Sequence, residues 1–145
     1  MNPSSVLTLH DLFLIKGGGE RLIHTLCQGL NSDLVAGAIS PDSFDLSSLS
    51  GEITDLKGLS GISGIKTWSL ARAFKKCHIN KSYRNAIYSG VASPLAINSI
   101  TAKNNVFYCH TPPRFVFDKK EHYSAELSWL GKQALNWLNA WFKPQ

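Results

Sequence analysis

The stretch Val-Phe-Tyr-Cys-His-Thr-Pro-Pro-Arg-Phe-Val-Phe-Asp, residues 106–118, runs an apolar strand straight into a stiff polar turn. Val106 to Cys109 is β-branched and aromatic, the composition of a strand buried on both faces of a parallel sheet. The apolar run stops at His110. Pro112 and Pro113 have no N–H for a ladder, and Pro112 drives Thr111 toward extended backbone, so the chain has to leave the sheet here. A histidine at that point stands at the carboxyl end of a strand, where open α/β sheets take their ligands. The plain alternative is a strand-end histidine satisfied by a neighbouring carbonyl.

Strands and helices alternate upstream of this turn. Val6 to Leu9 reads as a first strand, and Glu20 to Leu30 as an amphipathic helix with Leu22, Ile23, Leu26, Cys27 and Leu30 on one face. Leu34 to Ile39 reads as a second strand ended by Ser40 and Pro41. Residues 40–64 are rich in Ser and Gly, a surface excursion with Ile53 to Leu56 as its strand candidate. Lys66 to Cys77 puts Leu70, Ala73, Phe74 and Cys77 at helical spacing. Ala86 to Tyr88 is a further strand, and Ser93 and Pro94 suit a helix start that Leu95 to Ile100 continues. Ser124 to Phe142 is a strong helix candidate with a stripe of Leu127, Leu130, Ala134, Leu138 and Trp141. The alternation predicts an α/β fold, a Rossmann-like parallel sheet with flanking helices, in a single domain spanning residues 1–145.

Composition sets limits on partners. The chain has 145 residues, 43% of them hydrophobic and 17% charged, as in a globular domain. Its net charge of +5 is unevenly spread. Residues 1–56 carry Lys16 and Arg21 against seven acids, a net −5; residues 57–145 carry thirteen bases against three acids, a net +10. The later part therefore favours anionic partners such as nucleotide phosphates or an acidic lipid surface. Nucleic acid is not expected, because no interleaved aromatic and basic strand motif accompanies the charge. Cys27, Cys77 and Cys109 each lie in an apolar pattern and read as reduced core residues of a cytosolic protein. His10, His24, His78 and His122 are scattered, and no CxxC pair occurs, so no metal is expected. His10 and Asp11 interrupt the first apolar run, which argues against a signal peptide, and no apolar span reaches membrane-crossing length.

Between the first strand and first helix lie Gly17, Gly18 and Gly19. Strand, glycine loop and helix follow in the order of a phosphate-cradling turn, in which bare backbone amides and the helix amino terminus meet a diphosphate. Three adjacent glycines do not make the GxGxxG fingerprint, and no acid ends the second strand at Ile39, which disfavours a nicotinamide enzyme. An exposed loop merely loosened by glycine is the competing reading.

Two segments, Gly-Gly-Gly-Glu-Arg at Gly17 to Arg21 and Tyr-Cys-His-Thr-Pro-Pro-Arg at Tyr108 to Arg114, resemble the amino-terminal domain of family-4 glycosyltransferases. These are retaining enzymes of GT-B fold, and the likeness is greatest to bacterial members that build surface polysaccharides. It covers Val6 to Arg21 and about Ala86 to Tyr123, roughly half the chain. The resemblance implies transfer of a hexose, of mannose type, from a nucleotide diphosphate sugar to a growing polysaccharide or lipid-linked glycan, without a metal or other cofactor. Gly17, Gly18 and Gly19 would lie against the donor's diphosphate and His110 would be the catalytic candidate, orienting acceptor or sugar by hydrogen bond. Thr111 and Arg114 would contact substrate, although Arg114 equally suits a brace to Asp118 or a helix end. The family's carboxyl-terminal donor domain carries a spaced pair of glutamates, and Glu20, Glu52, Glu121 and Glu126 do not reproduce that spacing. The expectation is therefore an acceptor-side domain without its donor domain, inactive alone and cytoplasmic, with peripheral contact to the inner face of a membrane left open. The rival classes are a non-catalytic binding module and a membrane-surface adaptor using the Trp- and Lys-rich helix at Ser124 to Phe142.

Overall fold

The computed structural model describes residues 5–59 and 66–109. Five strands form one sheet: β1 Val6–Phe13, β2 Asp33–Ile39, β3 Ile53–Asp55, β4 Ser82–Ser89 and β5 Thr101–Tyr108. Their order across the sheet is β3-β2-β1-β4-β5, and every neighbouring pair is parallel. Two helices, α1 Gly18–Leu30 and α2 Lys66–Lys76, provide crossovers. This is a Rossmann-like α/β layer, the architecture the alternation predicts.

The apolar residues of the central strands divide between two cores, one for each face of the sheet. Phe13, Leu34 and Ala36 pack with Ile23 and Cys27 of α1. Leu7, Leu9, Val35 and Ala86 pack with Leu70 and Phe74 of α2. No helix joins β2 to β3. Leu46 and Leu49 of that connection instead bury themselves in the α1-side core, so an irregular loop covers the face that a crossover helix would otherwise close. Gly37 lies against α2 and β1: a Cβ there would overlap Leu70 and the main-chain oxygen of Asp11.

Four expectations need correction. The run Val106 to Cys109 is not buried on both faces: Val106 is 48% and Phe107 55% exposed, and among the described residues β5 is an edge strand paired with β4 alone. Cys109 is accordingly exposed rather than a core residue, whereas Cys27 and Cys77 are buried. The helix expected from Ser93 to Ile100 is a single 3-10 turn, Ser93–Ala96. Beyond it the Ser99 amide and hydroxyl both donate to the Ala96 carbonyl at 2.9 Å, so the chain goes on as a turn rather than as an α-helix. The first strand also outlasts its apolar run, continuing through His10 and Asp11 to Phe13.

Among the described residues no helix is long and apolar enough to cross a membrane. Ser124 to Phe142 lies outside them.

Candidate functional site

In this strand order β1 leads outward to β2 on one side, and the chain later returns to β4 on the other. Such a reversal opens a crevice beyond the carboxyl ends of the two central strands. Three segments meet that edge: the end of β1 with His10 and Asp11, the loop Gly17–Gly19, and the loop that follows β4 at Ser89.

Gly17 is the N-cap of α1, with extended backbone at φ −84° and ψ 174° and no side-chain capping bond. Gly18 and Gly19 form the first helical turn, and a Cβ at either would have no heavy atom within 4 Å. Neither neighbours nor backbone conformation require glycine at these two positions. Each glycine costs a helix about 0.5–1 kcal/mol relative to alanine. What their bareness offers is close approach to amides carrying the positive end of the α1 dipole, about half a unit charge. Glu20, in the same turn, folds back beside Gly17, so a carboxylate already stands near this terminus. Lys16 precedes the loop and is exposed.

The loop after β4 is bound tightly to β1. The Asp11 carboxylate accepts the Val91 amide at 2.6 Å, the Ala92 amide at 3.0 and 3.1 Å, and the Ser93 amide at 2.8 Å. Gly90, at φ 118°, has a conformation that glycine alone adopts easily, and a Cβ there would overlap that carboxylate. Burial pushes the Asp11 carboxyl above its ordinary range, against the opposing pull of the Ala92, Val91 and Ser93 amides and of His10. His10 is itself buried, its Nδ1 lying 3.2 Å from the Ser89 carbonyl oxygen and 3.1 Å from the Ser89 hydroxyl. The Ser93 hydroxyl donates to the same carbonyl at 3.0 Å.

A cleft of about 660 Å³ adjoins this edge beyond β2 and β3, with Lys16, Ser40, Phe44, Asp45 and Asp55 in its lining. Phe44 packs against α1, its ring 5.7 Å from that of His24 and 5.9 Å from the Arg21 guanidinium. A second cleft of about 390 Å³ lies at the opposite, amino edge, around Asp33, Lys81 and Tyr83. There the buried Asp33 carboxylate accepts the Glu52 amide at 3.0 Å, the Tyr83 hydroxyl at 3.0 Å and the Lys81 ammonium. Burial would raise Asp33, but Lys81 and the other donors outweigh it and hold the carboxyl below its usual range. Burial and then Asp33 push the Tyr83 phenol well up. These bonds tie the first residues of β2, β3 and β4 together, a structural task.

Of the residues singled out from the sequence, Gly17, Gly18 and Gly19 stand on the carboxyl edge beside β1. His110, Thr111 and Arg114 lie outside the described residues. β5, parallel to β1, ends at Tyr108, two residues before His110, on that same edge. Sequence reasoning passed over His10 and Asp11, reading them only as an interruption of an apolar run. A polar pair between a strand and a glycine loop was the available signal. Among the described residues no three His, Cys, Asp or Glu side chains converge as a metal-ligand set.

Fold and edge together define a Rossmann-like α/β layer with two runs of main-chain amides, Gly17–Gly19 and Val91–Ser93, beside its switch point. No protein-family model, curated protein or solved structure matches the chain.

Proposed function

We propose that this chain is the acceptor-side, Rossmann-like domain of a retaining glycosyltransferase of family-4 type, which moves a hexose from a nucleotide diphosphate sugar to a polysaccharide or lipid-linked glycan. The observation that carries this reading is the bare first turn of α1: Gly18 and Gly19 answer no packing or backbone demand, yet they face the carboxyl edge of a parallel sheet. Loss of a nucleotide diphosphate builds negative charge on the leaving phosphate, which fixed amides at a helix terminus stabilise without reorganising. His110, which follows the parallel edge strand, would hydrogen-bond the sugar or acceptor. Imidazole suits that task because it donates from one nitrogen and accepts at the other. Thr111 and Arg114 would contact substrate beside it. The cleft of about 660 Å³ lined by Ser40, Phe44, Asp45 and Asp55 would take an uncharged acceptor glycan, hydroxyls to the carboxylates and a sugar face to the ring. The resemblance of Tyr108 to Arg114 to the family motif supports the same reading.

Calorimetric titration of the chain with nucleotide diphosphate hexoses tests it. The expected result is saturable binding that pyrophosphate competes away and free hexose does not. Absence of binding, or competition by the nucleoside alone, would overturn the reading.

A further inference from the structure

The carboxyl edge holds two sets of consecutive backbone amides able to take an anion: Gly17–Gly19, and Val91–Ser93 in the loop after β4. They differ in one respect. At the first set Glu20 stands beside Gly17, while a Cβ at Gly18 or Gly19 would meet no neighbour within 4 Å; the second set is filled from within by a side chain of β1, with both oxygens of Asp11 engaged and all three amides used. Every hydrogen bond to that carboxylate among the described residues comes from a donor N–H, the pattern an anion requires. The loop is shaped for it: Gly90 has the positive φ and the missing Cβ that let the backbone close over the carboxylate, and the Ser93 hydroxyl and His10 secure Ser89 behind it.

We propose that Asp11 is a positioning residue, a built-in anion that fixes the loop after β4 and keeps ligand anions out of it, so that a diphosphate is directed to Gly17–Gly19. This deepens the function proposed above and rests on it only in the last clause. The consequence is specificity of placement. Two competing anion sites on one edge would let a diphosphate bind in two registers, of which one would misplace the sugar. Filling one of them with a tethered carboxylate leaves a single register.

The test follows backbone amide signals by nuclear magnetic resonance in the wild-type chain and in Asp11→Ala and Asp11→Asn, with pyrophosphate and formate as probes. In the wild type, pyrophosphate is expected to shift Gly17–Gly19 and leave Val91–Ser93 unmoved. In Asp11→Ala the amides of Val91, Ala92 and Ser93 should exchange with solvent about tenfold faster or more, consistent with losing charge-assisted bonds. Formate should restore them saturably, and pyrophosphate should now shift them. Asp11→Asn, isosteric but without an anionic acceptor, should not restore the wild-type pattern. A merely space-filling role predicts the reverse, with Asp11→Asn like wild type and formate without effect, and that result overturns the proposal. If neither variant folds, the wild type alone decides: pyrophosphate shifts at Val91–Ser93 overturn the proposal, and slow amide exchange there without shifts supports it. Silence at Gly17–Gly19 with the expected behaviour at Val91–Ser93 would count against the glycosyltransferase reading and leave the role of Asp11 standing.

Discussion

Asp11 and Asp33 are both acids drawn into the protein, yet they sit at opposite edges of the sheet and their environments push them in opposite directions. Asp33 has an ammonium, a phenol and an amide as donors, and its carboxyl is held low. Asp11 has amides and a histidine, and burial prevails. Linkage fixes the sign of each effect on stability. Asp33, with its folded value depressed, adds stability above the ordinary carboxylate range that disappears as pH falls through the folded value. Asp11, with its folded value raised, adds stability that is complete below the ordinary range and disappears as pH rises through the folded value. Thermal unfolding of Asp11→Asn and Asp33→Asn against wild type across the acid range should therefore give stability differences with opposite slopes in pH. Slopes of the same sign would contradict these assignments.

At the scale of elements, α1 carries the most discriminating feature, because what its first turn costs in stability serves no purpose within the described fold. Gly18→Ala and Gly19→Ala should each raise stability by about 0.5–1 kcal/mol, since neither position has positive φ and neither Cβ meets a neighbour. The same changes should weaken diphosphate binding by narrowing the approach to the amides. Parallel denaturation and titration would check both, and a stabilised variant with unchanged binding would make the glycines ornamental. The elements themselves were largely legible. Apolar periodicity located α1, α2 and β1 to β4 because each has a face that enters one of two cores. The ends were less legible, and the reasons differ. β1 outran its apolar run because His10 and Asp11 find partners in the loop after β4, 79 to 82 residues away, which no local pattern encodes. Val106, Phe107 and Tyr108 have the composition of a central strand, yet among the described residues β5 stands at the edge, a position set by strand order. Asp11 escaped notice as a site residue for the same reason as β1's length.

At the scale of the molecule, all-parallel pairing has one consequence that the function proposed here uses directly. The carboxyl ends of β1 and β5 share an edge, so the chain leaves the sheet toward Gly17 and toward His110 from the same side. The charge distribution adds to this: the basic later part of the sequence, net +10 over residues 57–145, includes Arg114 and suits a ligand carrying phosphates. The amino-edge cleft around Asp33 and Lys81 offers the rival location, and it is occupied by a satisfied ion pair. The most direct measurement is a titration of the isotope-labelled chain with a nucleotide diphosphate hexose, reading every backbone amide at once. The expected result is that Gly17, Gly18, Gly19 and His110 shift together on one saturation curve while Asp33 and Lys81 stay still. Shifts confined to the Asp33 and Lys81 edge, or a response at the glycines with His110 silent, would contradict it.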